Sequence, residues 1–140
     1  MFTGPMTASL PAWHTDALAV TFTDTGPGGV AYDEAVTVAD CSYGKLAWGN
    51  CDTVSYEIIA ELQYLGNKEI GCITVVPDDF IAAGVNFHTA LIENDLVIDY
   101  TIRQFGDDFP FPFVGTVDDW VNAINATGRT VWSVDNTEYM

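Results

Sequence analysis

Three short stretches bring together a thiol, an imidazole and a carboxylate: Gly49-Asn50-Cys51-Asp52, Phe87-His88-Thr89-Ala90 and Val97-Ile98-Asp99-Tyr100-Thr101. Their order is nucleophile, base, orienter. A cysteine attacks as its thiolate, yet a free thiol is mostly protonated near neutrality. Two surroundings correct this: the unsatisfied N–H groups of a helix N-terminus and a neighbouring imidazole. Cys51 stands where a helical pattern opens, and His88 is one of two histidines in the chain. Asp99 would fix the tautomer and orientation of the His88 ring. The backbone N–H of Cys51 would form half of an oxyanion hole, with Asn50, Gln104 or a donor near Trp48 as the other half. Each residue also suits a plain structural role, because a cysteine opening a helix and a histidine in an apolar strand are common core residues. The conjunction of the three favours catalysis.

The elements that must position these residues follow from periodicity. Val54, Ile58, Leu62 and Leu65 recur at helical spacing after Asp52, and Gly66-Asn67 reads as a left-handed cap. Leu18–Thr23 alternates as a strand, Thr25–Gly29 is a turn, and Ala31–Ala39 is a second strand. Asp40–Asn50 reads as loop. Ile70–Val76 is a strand closed by Pro77, and Asp78–Ala83 one helical turn. Phe109–Phe113 is interrupted by two prolines; Thr116 caps a helix running to about Ala126, and Arg129–Val134 is a last strand. Residues 1–12 read as an N-terminal arm of a single domain spanning 1–140, with 49–105 as its catalytic-like core.

Val85–Ile92 and Leu96–Ile102 are apolar runs joined by Glu93-Asn94-Asp95, a hairpin signal. With Glu93-Asn94 as a two-residue loop, His88 faces Asp99 directly. With Asn94-Asp95 as the loop, Glu93 pairs with Leu96, His88 faces Thr101 and Asp99 becomes the diagonal neighbour. Side chains alternate with period two, so in both registers His88 and Asp99 share one face of the sheet.

Composition bounds the partners. The chain has 140 residues, 49% hydrophobic and 13% aromatic, which is a folded domain and not a disordered tail. Its 20 carboxylates against 4 Lys and Arg give a formal charge of −16. Binding to a nucleic-acid backbone is disfavoured, since only Lys45, Lys68, Arg103 and Arg129 could neutralise phosphate. Solubility, steering of a basic protein or peptide and mimicry of a polyanion all fit the acidity, with solubility the plainest. The acids are scattered along the chain, which speaks against mimicry. Scarce lysine fits a saline host or a viral gene. Cys41, Cys51 and Cys72 show no metal-binding spacing, and a Cys41–Cys51 bridge stays open. Neither a signal peptide nor a membrane span is legible, so a cytoplasmic protein is expected. Oligomeric state is not legible. Trp13, Trp48, Trp120 and Trp132 read as core or rim aromatics.

The residues resemble the papain-like and transglutaminase-like cysteine hydrolases. A G-x-C at a helix start matches Gly49-Asn50-Cys51, and a histidine strand followed by a strand ending D-x-T matches His88 and Asp99-Tyr100-Thr101. Asp99 to Phe105 is similar to the D-x-T-x-x-Q-F segment of small members. An aromatic commonly follows the histidine in transglutaminase-like members, whereas Thr89-Ala90 follows here; Lys45 and Leu46 lie where papain-type sites carry a glutamine. The resemblance covers residues 49 to 105. It implies an α+β fold in which an N-terminal cysteine-bearing helix packs on an antiparallel sheet. It further implies thiol-dependent acyl transfer on an amide bond, by a peptidase, amidase or glutamine deamidase, through Cys51, His88 and Asp99. No cofactor and no metal are implied. Some members have lost catalysis and act as binding modules, so a non-catalytic acidic interaction protein is the alternative.

Overall fold

The computed structural model describes residues 10–24, 35–64, 66 and 69–135. A five-stranded antiparallel sheet lies at its centre, built from β3 (Gly71–Pro77), β4 (His88–Glu93), β5 (Leu96–Asp99), β6 (Phe113–Thr116) and β7 (Trp132–Val134) in the order β6-β5-β4-β3-β7. A separate two-stranded ribbon pairs β1 (Thr21–Thr23) with β2 (Ala35–Thr37). Helix α1 (His14–Leu18) precedes the ribbon, and α2 (Gly44–Ala47), α3 (Cys51–Tyr64), α4 (Phe80–Ala83) and α5 (Val117–Asn125) follow it.

Both faces of the large sheet are covered, and strand alternation decides what meets which helix. On one face Leu91, Ile98, Tyr100 and Val114 join Val54, Ile58 and Leu62 of α3 in a buried core. On the other, Ile73, Val75, Ala90, Val97 and Phe113 join Trp120, Ala123 and Ile124 of α5. The four-residue recurrence of Val54, Ile58 and Leu62 is what makes α3 amphipathic. Thr116 starts α5, its hydroxyl accepting the Asp119 N–H at 3.1 Å.

The β4–β5 hairpin takes the second of the two registers. Glu93 pairs with Leu96, and Asn94 (φ 50°) and Asp95 (φ 64°) form the turn. Both central residues are left-handed, as a type I′ turn requires, and Asn and Asp tolerate that conformation better than most. The pairing runs back to Leu91 opposite Ile98, and by alternation His88 and Asp99 lie on the same face of the sheet.

Several expectations need correction. Leu18 ends a helix instead of opening a strand; the Ala17 N–H bonds the Trp13 carbonyl at 3.0 Å, and only Thr21–Thr23 is extended. The second strand is confined to Ala35–Thr37 among the described residues; Val38 enters a 3-10 turn, Val38–Ser42, because Thr37 and Asp40 form a reciprocal capping box. The turn at Thr25–Gly29 and the start of the second strand lie outside the described residues, as do positions 1–9 of the arm. The stretch Asp40–Asn50 is no open loop, since it contains that 3-10 turn and α2. Strand β4 begins only at His88, and β5 ends at Asp99 instead of Ile102, because the Asp99 carboxylate accepts the Thr101 N–H at 2.9 Å and turns the chain off the sheet. Strand β6 follows the proline-interrupted run without a warning in the periodicity. Among the described residues the cysteine-bearing helix is not N-terminal, since α1 and α2 precede it.

Candidate active site

The site forms at one end of the sheet, where the start of β4 and the end of β5 meet the first turn of α3. His88 is fully buried and Asp99 is 1% exposed. His88 Nε2 lies 2.6 Å from Asp99 Oδ2. That oxygen also accepts the Trp120 indole N–H at 2.9 Å. The other, Oδ1, accepts the Thr101 N–H at 2.9 Å and the Thr101 hydroxyl at 3.3 Å. Four donors therefore saturate a buried carboxylate, which is the condition for keeping such a group charged away from water.

Cys51 is the first residue of α3 and is 6% exposed. Its side chain lies close enough to His88 to raise the proton affinity of the ring. Burial lowers the proton affinity of His88; the Asp99 charge and hydrogen bond, and then Cys51, raise it, and the balance lies above the ordinary imidazole value. Asp52 turns its carboxylate onto the Thr53 N–H at 2.8 Å, so its charge is spent on the helix start. Behind Cys51, its carbonyl accepts the Ser55 hydroxyl at 2.7 Å, which fixes the first turn.

The other two cysteines contrast with it. Burial, then Asp40, Asp24 and Asp99, push the Cys41 thiol up to about 12, and burial pushes Cys72 up to about 11. All three cysteines are free and buried, so no Cys41–Cys51 bridge is present. Among the described residues no cluster of three or more His, Cys, Asp or Glu is placed to hold a metal ion, and no helix is long and apolar enough to cross a membrane.

The three candidate oxyanion donors separate clearly. Asn50 is fully buried, and its amide nitrogen donates to Asp24 Oδ1 and to the Leu46 carbonyl, each at 2.8 Å. Both N–H groups of its side chain are committed, so Asn50 ties α2 and Asp24, the residue after β1, to the start of α3. Trp48 packs over Gly84, where an added Cβ would meet its ring at 3.2 Å. It shares a small crevice with Phe105 and Trp132. Gln104 stands inside the site, with its Nε2 2.9 Å from His88 Nδ1.

The turn that delivers Gln104, Ile102–Gln104, is held by the neighbouring arginine. Arg103 donates from Nε to the Phe109 carbonyl at 2.8 Å and from Nη1 to the Ser42 carbonyl at 2.9 Å. Gly44 lets α2 approach this turn, because a Cβ there would lie 2.5 Å from the Arg103 carbonyl oxygen.

The chain matches no family model, no curated protein and no solved structure. The site therefore has to be read from its own geometry. Two of its members were not legible as such. Trp120 reads as core, yet its N–H is a carboxylate ligand; the available signal was that a buried indole needs an acceptor. Phe105 stands edge-on to the His88 ring, with centroids 4.8 Å apart. Phe105 also lines a cleft of about 310 Å³ with Phe109, Thr127 and Arg129.

Proposed function

We propose that this protein is a thiol-dependent acyl-transfer enzyme acting on an amide bond, with Cys51 as nucleophile, His88 as base and Asp99 as orienter. The observation that carries this reading is the saturated His88–Asp99 pair set against a thiol at a helix start. Asp99 commits Nε2 of the ring, so proton exchange with Cys51 runs through Nδ1, beside which Gln104 Nε2 stands at 2.9 Å. The thiol proton passes to Nδ1, and the thiolate adds to the substrate carbonyl carbon, whose π electrons move onto oxygen. Collapse of the tetrahedral adduct breaks the C–N bond as His88 returns the proton to the departing amine. Water then hydrolyses the thioester, with His88 taking its proton. The backbone N–H of Cys51 faces the developing oxyanion, favoured by the helix N-terminus.

A papain-like or transglutaminase-like topology accords with the order Cys51 helix, His88 strand, Asp99 strand. The excess of carboxylates favours a basic protein or peptide as substrate, through steering that weakens with salt. One observation favours the rival reading of a non-catalytic binding module on this fold: Cys51 is only 6% exposed.

The experiment is turnover on a panel of lysine- and glutamine-rich peptides, read by mass spectrometry as new termini or as glutamine converted to glutamate. The expected result is turnover that disappears in Cys51→Ala while the unfolding midpoint is retained. Turnover surviving in Cys51→Ala contradicts the assignment, and stoichiometric peptide binding that survives in the same variant establishes the rival.

A further inference from the structure

A second cavity, of about 270 Å³, counts Tyr56, Phe87, Thr74, Thr89 and Asp135 among its lining residues. Phe87 and Thr89 flank His88 in the chain. Tyr56 follows Cys51 on α3, about 7–8 Å further along the axis at the helical rise per residue. The cavity is therefore built on the same two elements that carry the thiol and the imidazole. By strand alternation Thr89 turns to the face opposite His88, the face that carries Leu91 and packs on α3.

Its buried part is a register pair, Thr74 of β3 opposite Thr89 of β4, with the two hydroxyl oxygens 2.8 Å apart. A hydroxyl has one proton and two lone pairs, so acceptor capacity remains on both oxygens after their mutual bond. Tyr56 and Phe87 are exposed rings at its rim. Asp135 is placed by its main chain, whose N–H donates to the Thr74 carbonyl at 2.8 Å. A carboxylate offers about four lone-pair sites, so Asp135 can accept a ligand N–H in addition to its existing contacts. No Lys, Arg or His is among the described residues that line the cavity.

We propose that this cavity is a specificity subsite that takes the side chain of a lysine or arginine in the peptide Cys51 attacks. The aliphatic stem lies against the aromatic rim, and the cationic head meets Asp135 and the threonine hydroxyls. An anion would instead face Asp135, and an apolar side chain would leave the carboxylate and hydroxyls unused. The volume lies just under the ~300 Å³ lower end of small-molecule sites, which suits one side chain. The role in substrate selection rests on Cys51 and His88 being nucleophile and base; the affinity for a cation does not.

The test is a titration of the full chain with Nα-acetyl-lysine methylamide, read by amide chemical shifts in wild type and in Cys51→Ala. The uncharged norleucine analogue is the control. An acidic protein attracts any cation weakly, so the location of the response decides. Saturable shifts at Phe87, Thr89 and Thr74 with the lysine compound, in both proteins, are expected. Asp135→Asn should weaken that binding about threefold to tenfold, the loss of one partly solvated charge-assisted contact. Tyr56→Leu, on an exposed helix position, should weaken it about twofold to fivefold, and decides if Asp135→Asn does not fold. Equal binding of the norleucine analogue, shifts spread away from the cavity, or affinity unchanged in the folded variants overturns the subsite. Turnover of amide peptides by wild type with no preference for lysine or arginine overturns it while leaving the catalytic reading intact. Localised binding with no turnover by wild type sinks the catalytic reading, and with it the role in substrate selection, and leaves a cation-binding pocket.

Discussion

The two histidines sit in two regions that treat the same side chain in opposite ways. His14, on α1, stacks on Tyr100 with ring centroids 5.9 Å apart and shares a hydrogen bond of 3.0 Å between Nδ1 and the phenol oxygen. Tyr100 belongs to the core under α3. Burial lowers the proton affinity of His14. His88, among residues packed under α5, is more deeply buried, yet Asp99 lifts its proton affinity above the ordinary value. A neutral phenol leaves the desolvation cost in charge, whereas a saturated carboxylate reverses it. Burial alone therefore does not distinguish a base from a core histidine. The charge of the partner does.

That contrast can be broken most severely at its charged member. Asp99→Ala leaves the His88 N–H, the Trp120 indole N–H and the Thr101 N–H without their acceptor in a dry site. It should cost about 3–5 kcal/mol in denaturant unfolding, the range for removing one partner of a buried pair. It should also slow Cys51 alkylation near neutrality, since His88 then loses the charge that raises its proton affinity. A loss below about 1 kcal/mol would mean that the carboxylate is not the hub of this region. The neutral member should be far more tolerant. Tyr100→Phe removes one hydrogen bond to a half-buried ring and should cost about 0.5–1.5 kcal/mol. Cys51 alkylation should be unchanged in that variant; a large change would join the two regions into one network.

Much of the site was legible because two local codes enforce it. Asn94-Asp95 suits a left-handed turn, and a two-residue loop fixes which strand residues share a face, so His88 and Asp99 meet as counting implies. The Val54, Ile58 and Leu62 spacing likewise placed Cys51 at a helix start. What remained illegible depends on contacts between segments distant in sequence. Trp120 donates to Asp99 across 21 residues, and Gln104 reaches His88 across 16; neither distance leaves a mark on periodicity. Asn50 looked available as a donor because nothing local announces Asp24 as its partner, 26 residues away. Short 3-10 turns and α1 were missed for a related reason. Their amphipathic signal spans barely one turn, and capping residues such as Thr37 and Asp40 decide them.

The central claim is that Cys51, unlike its two companions, is activated by its surroundings. The most direct measurement is the alkylation rate of all three cysteines in the native wild-type protein from pH 5 to pH 10, resolved by mass spectrometry of peptides. Cys41 and Cys72, pushed up to about 12 and about 11, should remain nearly inert, their thiolate fractions rising about tenfold per pH unit from a very low base. Cys51 should react far faster than either of them across that range. If Cys51 instead stays as inert as the other two until the protein unfolds, it is a core residue at a helix start, and the catalytic account is wrong.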